Sequence, residues 1–153
     1  MKKIDFHIHT IPTDSDCNFE FSLQQLQKYI KKRTIDGIAI TNHNLFDLNQ
    51  YESISKSVSI VVFPGIEIDL EGGHLLIIAN LDELSDFNIK CKSLSELMSD
   101  SDESITVCDL ENVFLDLSKY ILIPHYQKKP NLKPETIKQF STHITAGEVA
   151  SPK

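Results

Sequence analysis

The chain has 153 residues, 41% of them apolar, which suffices for one domain with a real hydrophobic core and is too short for two ordinary ones. Its 22 Asp and Glu outnumber 15 Lys and Arg, for a formal charge of −7. This excess of acid argues against a broad electrostatic grip on nucleic acid, although bound cations or a local basic patch would reverse the field at a site. There is no apolar run of 18 residues, and MKKIDFHIHT reaches Asp5 and two histidines before the apolar part of a signal peptide can form, so a cytoplasmic protein with no membrane contact is expected. Cys17, Cys91 and Cys108 are odd in number, far apart and without a CxxC pair, which points to buried free thiols rather than disulfides or a zinc knuckle.

The first predicted element is the strand KIDFHIH. Side chains alternate between the two faces of a strand, so His7 and His9 point one way while Phe6 and Ile8 point the other, and the two imidazoles converge. FSLQQLQKYIKKR reads as a helix with Ser22 as N-cap, Leu23, Leu26 and Ile30 on one stripe and Lys in the last turn; Asp36-Gly37 closes it. GIAITN is a second strand and leads into a polar helix from about Asp47 to Lys56. SIVVFPGIEI follows as a third strand, apolar enough for burial on both faces, and HLLIIAN as a fourth. Residues 81–104, rich in Ser, Asp and Glu, read as one weak helix plus a solvated loop. DLENVFLDLSK is a better helix, capped by Asp109, with Leu110, Val113 and Leu117 facing inward. YILIPHY is a fifth strand, Pro134 to Phe140 a short helix with Pro in its first turn, and THITAGEV a sixth strand. No internal repeat is visible. Strands alternating with helices imply a largely parallel sheet with crossovers packed outside it, which an open doubly wound sheet and a closed barrel satisfy equally.

The polar residues that break these apolar runs fall at strand margins. His43 follows IAIT, Glu67 sits in PGIEI, His74 opens HLLII and His125 ends LIPH. Most lie at C-terminal strand ends, where parallel α/β folds and barrels gather ligands. Five histidines and a carboxylate are costly to bury unpaired, and a divalent cation satisfies them together. Any one of them alone is more often a hydrogen-bonded rim residue, and His143 is left in that class. The case for a metal site rests on their ordered co-occurrence.

In that order, DFHIHT, ITNHN, PGIEI, GGHLLI and IPHY resemble the successive motifs of the PHP (polymerase and histidinol phosphatase) superfamily of metal-dependent phosphoesterases, over Lys3 to about His125. The resemblance implies a distorted (β/α)7 TIM-like barrel, here incomplete at about six β/α units, forming a single domain over 1–153 that is the N-terminal part of a longer chain. It implies two or three divalent ions, Mn, Zn or Fe. His7 and His9 would bind one ion and Glu67 would bridge two; His74 and His125 would hold the second, and His43 with an Asp after the HxH motif the third. Thr13-Asp14-Ser15 aligns best with the family's S-D-G segment, which makes Asp14 the choice and Asp16 the fallback. Two departures stand out. Thr41-Asn42-His43 replaces the usual Thr-Asp-His, and the family's last motif, an Asp-x-His on the seventh strand, has no counterpart. A closed eight-stranded barrel takes ~200 residues or more.

The implied chemistry is hydrolysis of a phosphate ester by water activated at the ions. No GxSxG, P-loop or GxGxxG offers another route. His125 and Glu67 are the catalytic candidates; Lys128 and Lys129, immediately after His125, leave two roles open, holding a phosphate at the mouth of the site or, the commoner role of such a pair, standing exposed and solvated. The substrate would be a small phosphomonoester, a nucleotide or a nucleic-acid end. The alternative is a catalytically silent PHP-like module of a larger, nucleic-acid-processing protein, with a further C-terminal domain as partner. An amidohydrolase is more distant, because Glu67 stands where a bridging Lys would be required.

Overall fold

The computed structural model describes residues 1–12, 19–70, 72–99, 104–126, 129, 131–139 and 141–147. Five strands, β1 (Ile4–Ile8), β2 (Gly37–Ile40), β3 (Val61–Leu70), β4 (Gly73–Ile78) and β5 (Ile121–Pro124), pair in sequence order into one sheet. Among the described residues five α-helices accompany them: α1 (Leu23–Arg33), α2 (Leu48–Ser57), α3 (Leu84–Ser99), α4 (Val107–Phe114) and α5 (Pro134–Gln139). β1, β2 and β3 are parallel, joined by α1 and α2; β3–β4 and β4–β5 are antiparallel. The sheet curls into a mixed half-barrel.

This architecture corrects the expected (β/α)7 barrel and its largely parallel sheet. A parallel connection needs a crossover of roughly a dozen residues or more. Only Glu71 and Gly72 separate β3 from β4, with Gly72 at φ 86°, so the chain must reverse on itself. The backbone of 131–132 then lies against Gly73, where a Cβ would come 2.4 Å from the Leu132 nitrogen. The predicted sixth strand is also absent: in THITAGEV only Ile144 makes an isolated bridge, to Leu122, among the described residues.

Local signals account for most helix boundaries. Ser22 accepts from the Gln25 amide and caps α1 as expected; Asp47, expected only as the approximate start of a helix, accepts from the Gln50 amide and caps α2. α4 starts one turn earlier than expected: Thr106 is its cap, and Asp109 completes a capping box at the third helical position. Leu110 is buried and Val113 partly so, while Leu117 is buried from a following 3₁₀ turn. The Ser-rich stretch taken as weakly helical forms sixteen-residue α3, because Phe87, Cys91 and Leu94 bury one of its faces. Cys91 is buried as expected but Cys108 is exposed; Cys17 lies outside the described residues. Among the described residues, no helix is long and apolar enough to cross a membrane.

The sheet has two unlike faces. Ile38, Ile40, Val62, Ile66, Ile68, Leu70, Leu75, Ile77 and Leu122 join Leu26, Tyr51, Ile54, Phe87 and Phe114 from the helices in one large core. The alternate positions Ala39, Leu76, Ile78 and Ile123 form a second, smaller cluster of strand residues with Phe6, Phe63 and Ile121. A register shift between Asp5 and Ile8 sends Phe6 to the small cluster and Ile8 to the large one, so these two do not share a face as predicted. Along the second face the period of two continues from apolar residues to Glu67 and Asp69 on β3, His74 on β4 and His125 beyond β5.

Candidate metal centre

The topology brings the histidines to one end of the sheet. His9 and His43 lie just past the C-termini of β1 and β2, and His43 bridges to Glu67 beside it. β4 runs the other way, so His74 at its start reaches the same end, directly across from Asp69. His125 follows β5 and donates its amide to the His74 carbonyl at 2.9 Å.

Glu67 is the centre of the cluster, with 1% of its side chain exposed. Its Oε2 lies 2.9 Å from Nε2 of His7, 2.6 Å from Nε2 of His9 and 3.3 Å from Nε2 of His43. Its Oε1 lies 2.7 Å from Nδ1 of His74 and 3.0 Å from Nε2 of His125. The paired imidazoles at the N-terminus do converge, with Nε2 atoms 2.9 Å apart. Potential ligand atoms fall within 4.8 Å of one another in three sets: His7, Glu67 and His125; His9, His43 and Glu67; His43, Asp69 and His74.

Burial would push the Glu67 carboxyl up, but hydrogen bonds with His125, His7, His74 and His9 overcome it and hold the group well below the usual carboxylate range. At His74 burial disfavours the charged ring, yet the Asp69 and Glu67 carboxylates outweigh it and raise the pKa to about 9. His43 goes the other way, because burial, with His9 and His74 nearby, outweighs the pull of Glu67. Neighbouring imidazoles of one cluster thus prefer different protonation states.

Asn42, which replaces the acid of the Thr-Asp-His motif, is 2% exposed. Its Oδ1 accepts from the amides of Thr10 at 2.6 Å and Ile11 at 3.0 Å and from the Thr10 hydroxyl at 3.2 Å, clamping the segment after His9. Asp69 and Asn44 are the neighbours that sequence reasoning missed. Asp69 was legible as the continuation of the Glu67 face, two residues on; Asn44 was not, because its part depends on backbone geometry. Asp14, Asp16 and Lys128 lie outside the described residues. Lys129 is exposed, and His143 sits near Asp116 instead of the cluster. A groove of about 470 Å³ opens beside His7 and His9, walled by Phe19, Phe21, Leu26 and Tyr29 with Asp5 and Glu20 at its edge.

The donor set is imidazole nitrogen and carboxylate oxygen, which suits a divalent transition ion. It is also gathered tightly: one carboxylate, 1% exposed, meets five imidazoles, and Oδ1 of Asp69 lies 2.9 Å from Nε2 of His74. The residues present therefore fit a metal.

No family model matches the chain, and no curated protein does. Among solved structures, the fold is similar to that of a protein from Bifidobacterium adolescentis named a "putative metal-dependent phosphoesterase", with a TM-score of 0.55 and 12% identity over 96% of this chain and 77% of that one. It is similar also to PsfC from Pseudomonas syringae, with a TM-score of 0.57 and 13% identity over 95% of this chain and 64% of that one. At such identities the likeness is one of fold.

Proposed function

We propose that the chain is a metal-dependent phosphoesterase of the PHP type. The observation that carries this reading is the single buried carboxylate of Glu67 on β3, whose two oxygens are approached by five histidines drawn from the margins of the other four strands. His7, His9, His43 and His125 would hold the ions about Glu67, and His74 donates to its Oε1. Ions bound there supply Lewis-acid charge for a phosphate oxygen and lower the pKa of a water toward neutrality. The protein's own part is to fix the ligands. Asn42 anchors the turn after His9, the antiparallel β4 delivers His74, and the buried surroundings of His125 keep its ring facing Glu67. The groove beside His7 and His9 gives the ester's leaving group a place, and its carboxylate rim disfavours a second anionic group there. The name of the Bifidobacterium protein supports the same reading.

The test is release of p-nitrophenol from mono- and bis(p-nitrophenyl) phosphate by the chain supplied with Mn²⁺ or Zn²⁺. Hydrolysis that EDTA abolishes and that falls by about 100-fold or more in Glu67→Gln supports the proposal. A folded, metal-loaded chain with no activity on either ester contradicts it.

A further inference from the structure

Thr10, directly after His9, is 1% exposed and has three polar groups to satisfy. Its amide donates to Oδ1 of Asn42 at 2.6 Å. Its carbonyl accepts from Nε2 of Gln50 at 3.1 Å, and its hydroxyl, which lies 3.2 Å from Oδ1 of Asn42, donates to Oε1 of Gln50. Nδ2 of Asn42 donates to the same Oε1 at 3.4 Å. Neither side-chain amide is free to flip. Asn42 must turn its oxygen to the amides of Thr10 and Ile11, which can only donate, and Gln50 must turn its nitrogen to the Thr10 carbonyl, which can only accept. The residue after His9 is thereby tied to the residue before His43.

Gln50 is the member of this set that no local need explains. It is the third residue of α2, after the cap Asp47, whose carboxylate takes the Gln50 amide at 3.0 Å. A Gln at that position commonly completes a capping box by turning back to the amide of its own cap. Here the side chain leaves the helix and reaches Thr10, 40 residues away in sequence. Nor does α2 need it as an anchor: Tyr51 and Ile54 are buried, and the Tyr51 hydroxyl donates to the Val62 carbonyl of β3 at 2.8 Å. We propose that Gln50 is a positioning residue of the metal centre, setting His9 relative to His43 through Thr10 and Asn42. The inference rests on the reading of the cluster as metal-binding and assigns α2 a part in it.

Calorimetric titration with Zn²⁺ and the visible spectrum of the Co²⁺-loaded chain, on folded wild type, Gln50→Met and Tyr51→Phe, test it. Methionine keeps the length of Gln50 without its amide, and Tyr51→Phe deletes a hydrogen bond of the same helix that does not lead to a histidine. The expected result is an unchanged number of ions in Gln50→Met, with one bound about 10–100-fold more weakly and with shifted Co²⁺ bands. Tyr51→Phe should lower Tm and keep wild-type affinities and spectrum. Wild-type affinities and spectrum in Gln50→Met, or an equal weakening in both variants, overturn the assignment. Should Gln50→Met fail to fold, Gln50→Ala, well suited to a helix, is read in the same way. A chain that binds metal but cleaves no ester fails the phosphoesterase reading alone, since this comparison needs only binding. A wild-type chain that binds no metal defeats the reading of the cluster and this inference with it.

Discussion

Asn42 shows how a departure from an expected motif is judged by what the side chain touches. Its Oδ1 accepts from Thr10 and Ile11, work an Asp would also do, and only a long 3.4 Å bond from its Nδ2 to Oε1 of Gln50 needs the amide; the change from Asp to Asn removes no partner of the histidines. Asn42→Ala leaves the buried Thr10 amide and the part-buried Ile11 amide without their acceptor and is expected to cost about 2–3 kcal/mol, read by denaturant unfolding. Asn42→Asp is expected to stay close to wild type, and an equal loss in both variants would contradict the clamp. Tyr29 offers a second test at this scale. Its hydroxyl donates to Asp5, and that bond, aided by partial burial and the Asp5 charge against Arg33, raises the phenol to about 12. Asp5 in turn accepts from the His7 amide, tying α1 to the histidine strand. A folded pKa above the unfolded value of 10 means that the pair's contribution to stability is whole below pH 10 and declines as pH rises toward 12. Ultraviolet titration should show one tyrosine returning toward 10 in Asp5→Asn; an unchanged curve would contradict the assignment.

At the level of elements, the β3–β4 hairpin decides the architecture. It turns His74 to the end where the parallel strands deliver the other histidines, which a seventh β/α unit is not needed to achieve. Gly73 holds the 131–132 segment against that hairpin, and Gly73→Ala must push backbone away from backbone. A loss of about 1–3 kcal/mol is expected in chemical denaturation, with an unchanged midpoint contradicting the close approach. The helices were readable because caps and apolar stripes are local, as Ser22 and the inward-facing Leu26 and Ile30 illustrate. The sense of pairing was misread because SIVVFPGIEI and HLLIIAN were matched to a parallel template, although DLEGG between them leaves no length for a crossover. The bulge in β1 was invisible for another reason: it depends on how β1 meets β2, not on any residue in DFHIH.

For the whole molecule, the half-barrel divides its labour between faces. The helix-covered face carries most of the apolar burial, and the opposite face runs from a small apolar floor to the histidine cluster. Six of the expected site residues, His7, His9, His43, Glu67, His74 and His125, meet at that end. They were legible because each interrupts a strand-like apolar run, whereas the pairing of Asp69 with Asn44 depends on a left-handed backbone that no local pattern announces. A ligand that binds the folded chain alone stabilises it by about 2.7 kcal/mol at a hundred times its dissociation constant. Saturating Mn²⁺ or Zn²⁺ should therefore raise Tm by several degrees, and EDTA should reverse the shift; a Tm indifferent to both would count against the cluster as a metal centre.

The central claim is that Glu67 gathers divalent ions through its histidines, and metal content tests it most directly. Elemental analysis of the folded chain, after loading with Mn²⁺ or Zn²⁺ and removal of free ion, should find two or more ions per wild-type chain. Glu67→Gln, shown to be folded by circular dichroism, should have lost most of them. A folded wild-type chain that retains no metal under these conditions would contradict the account.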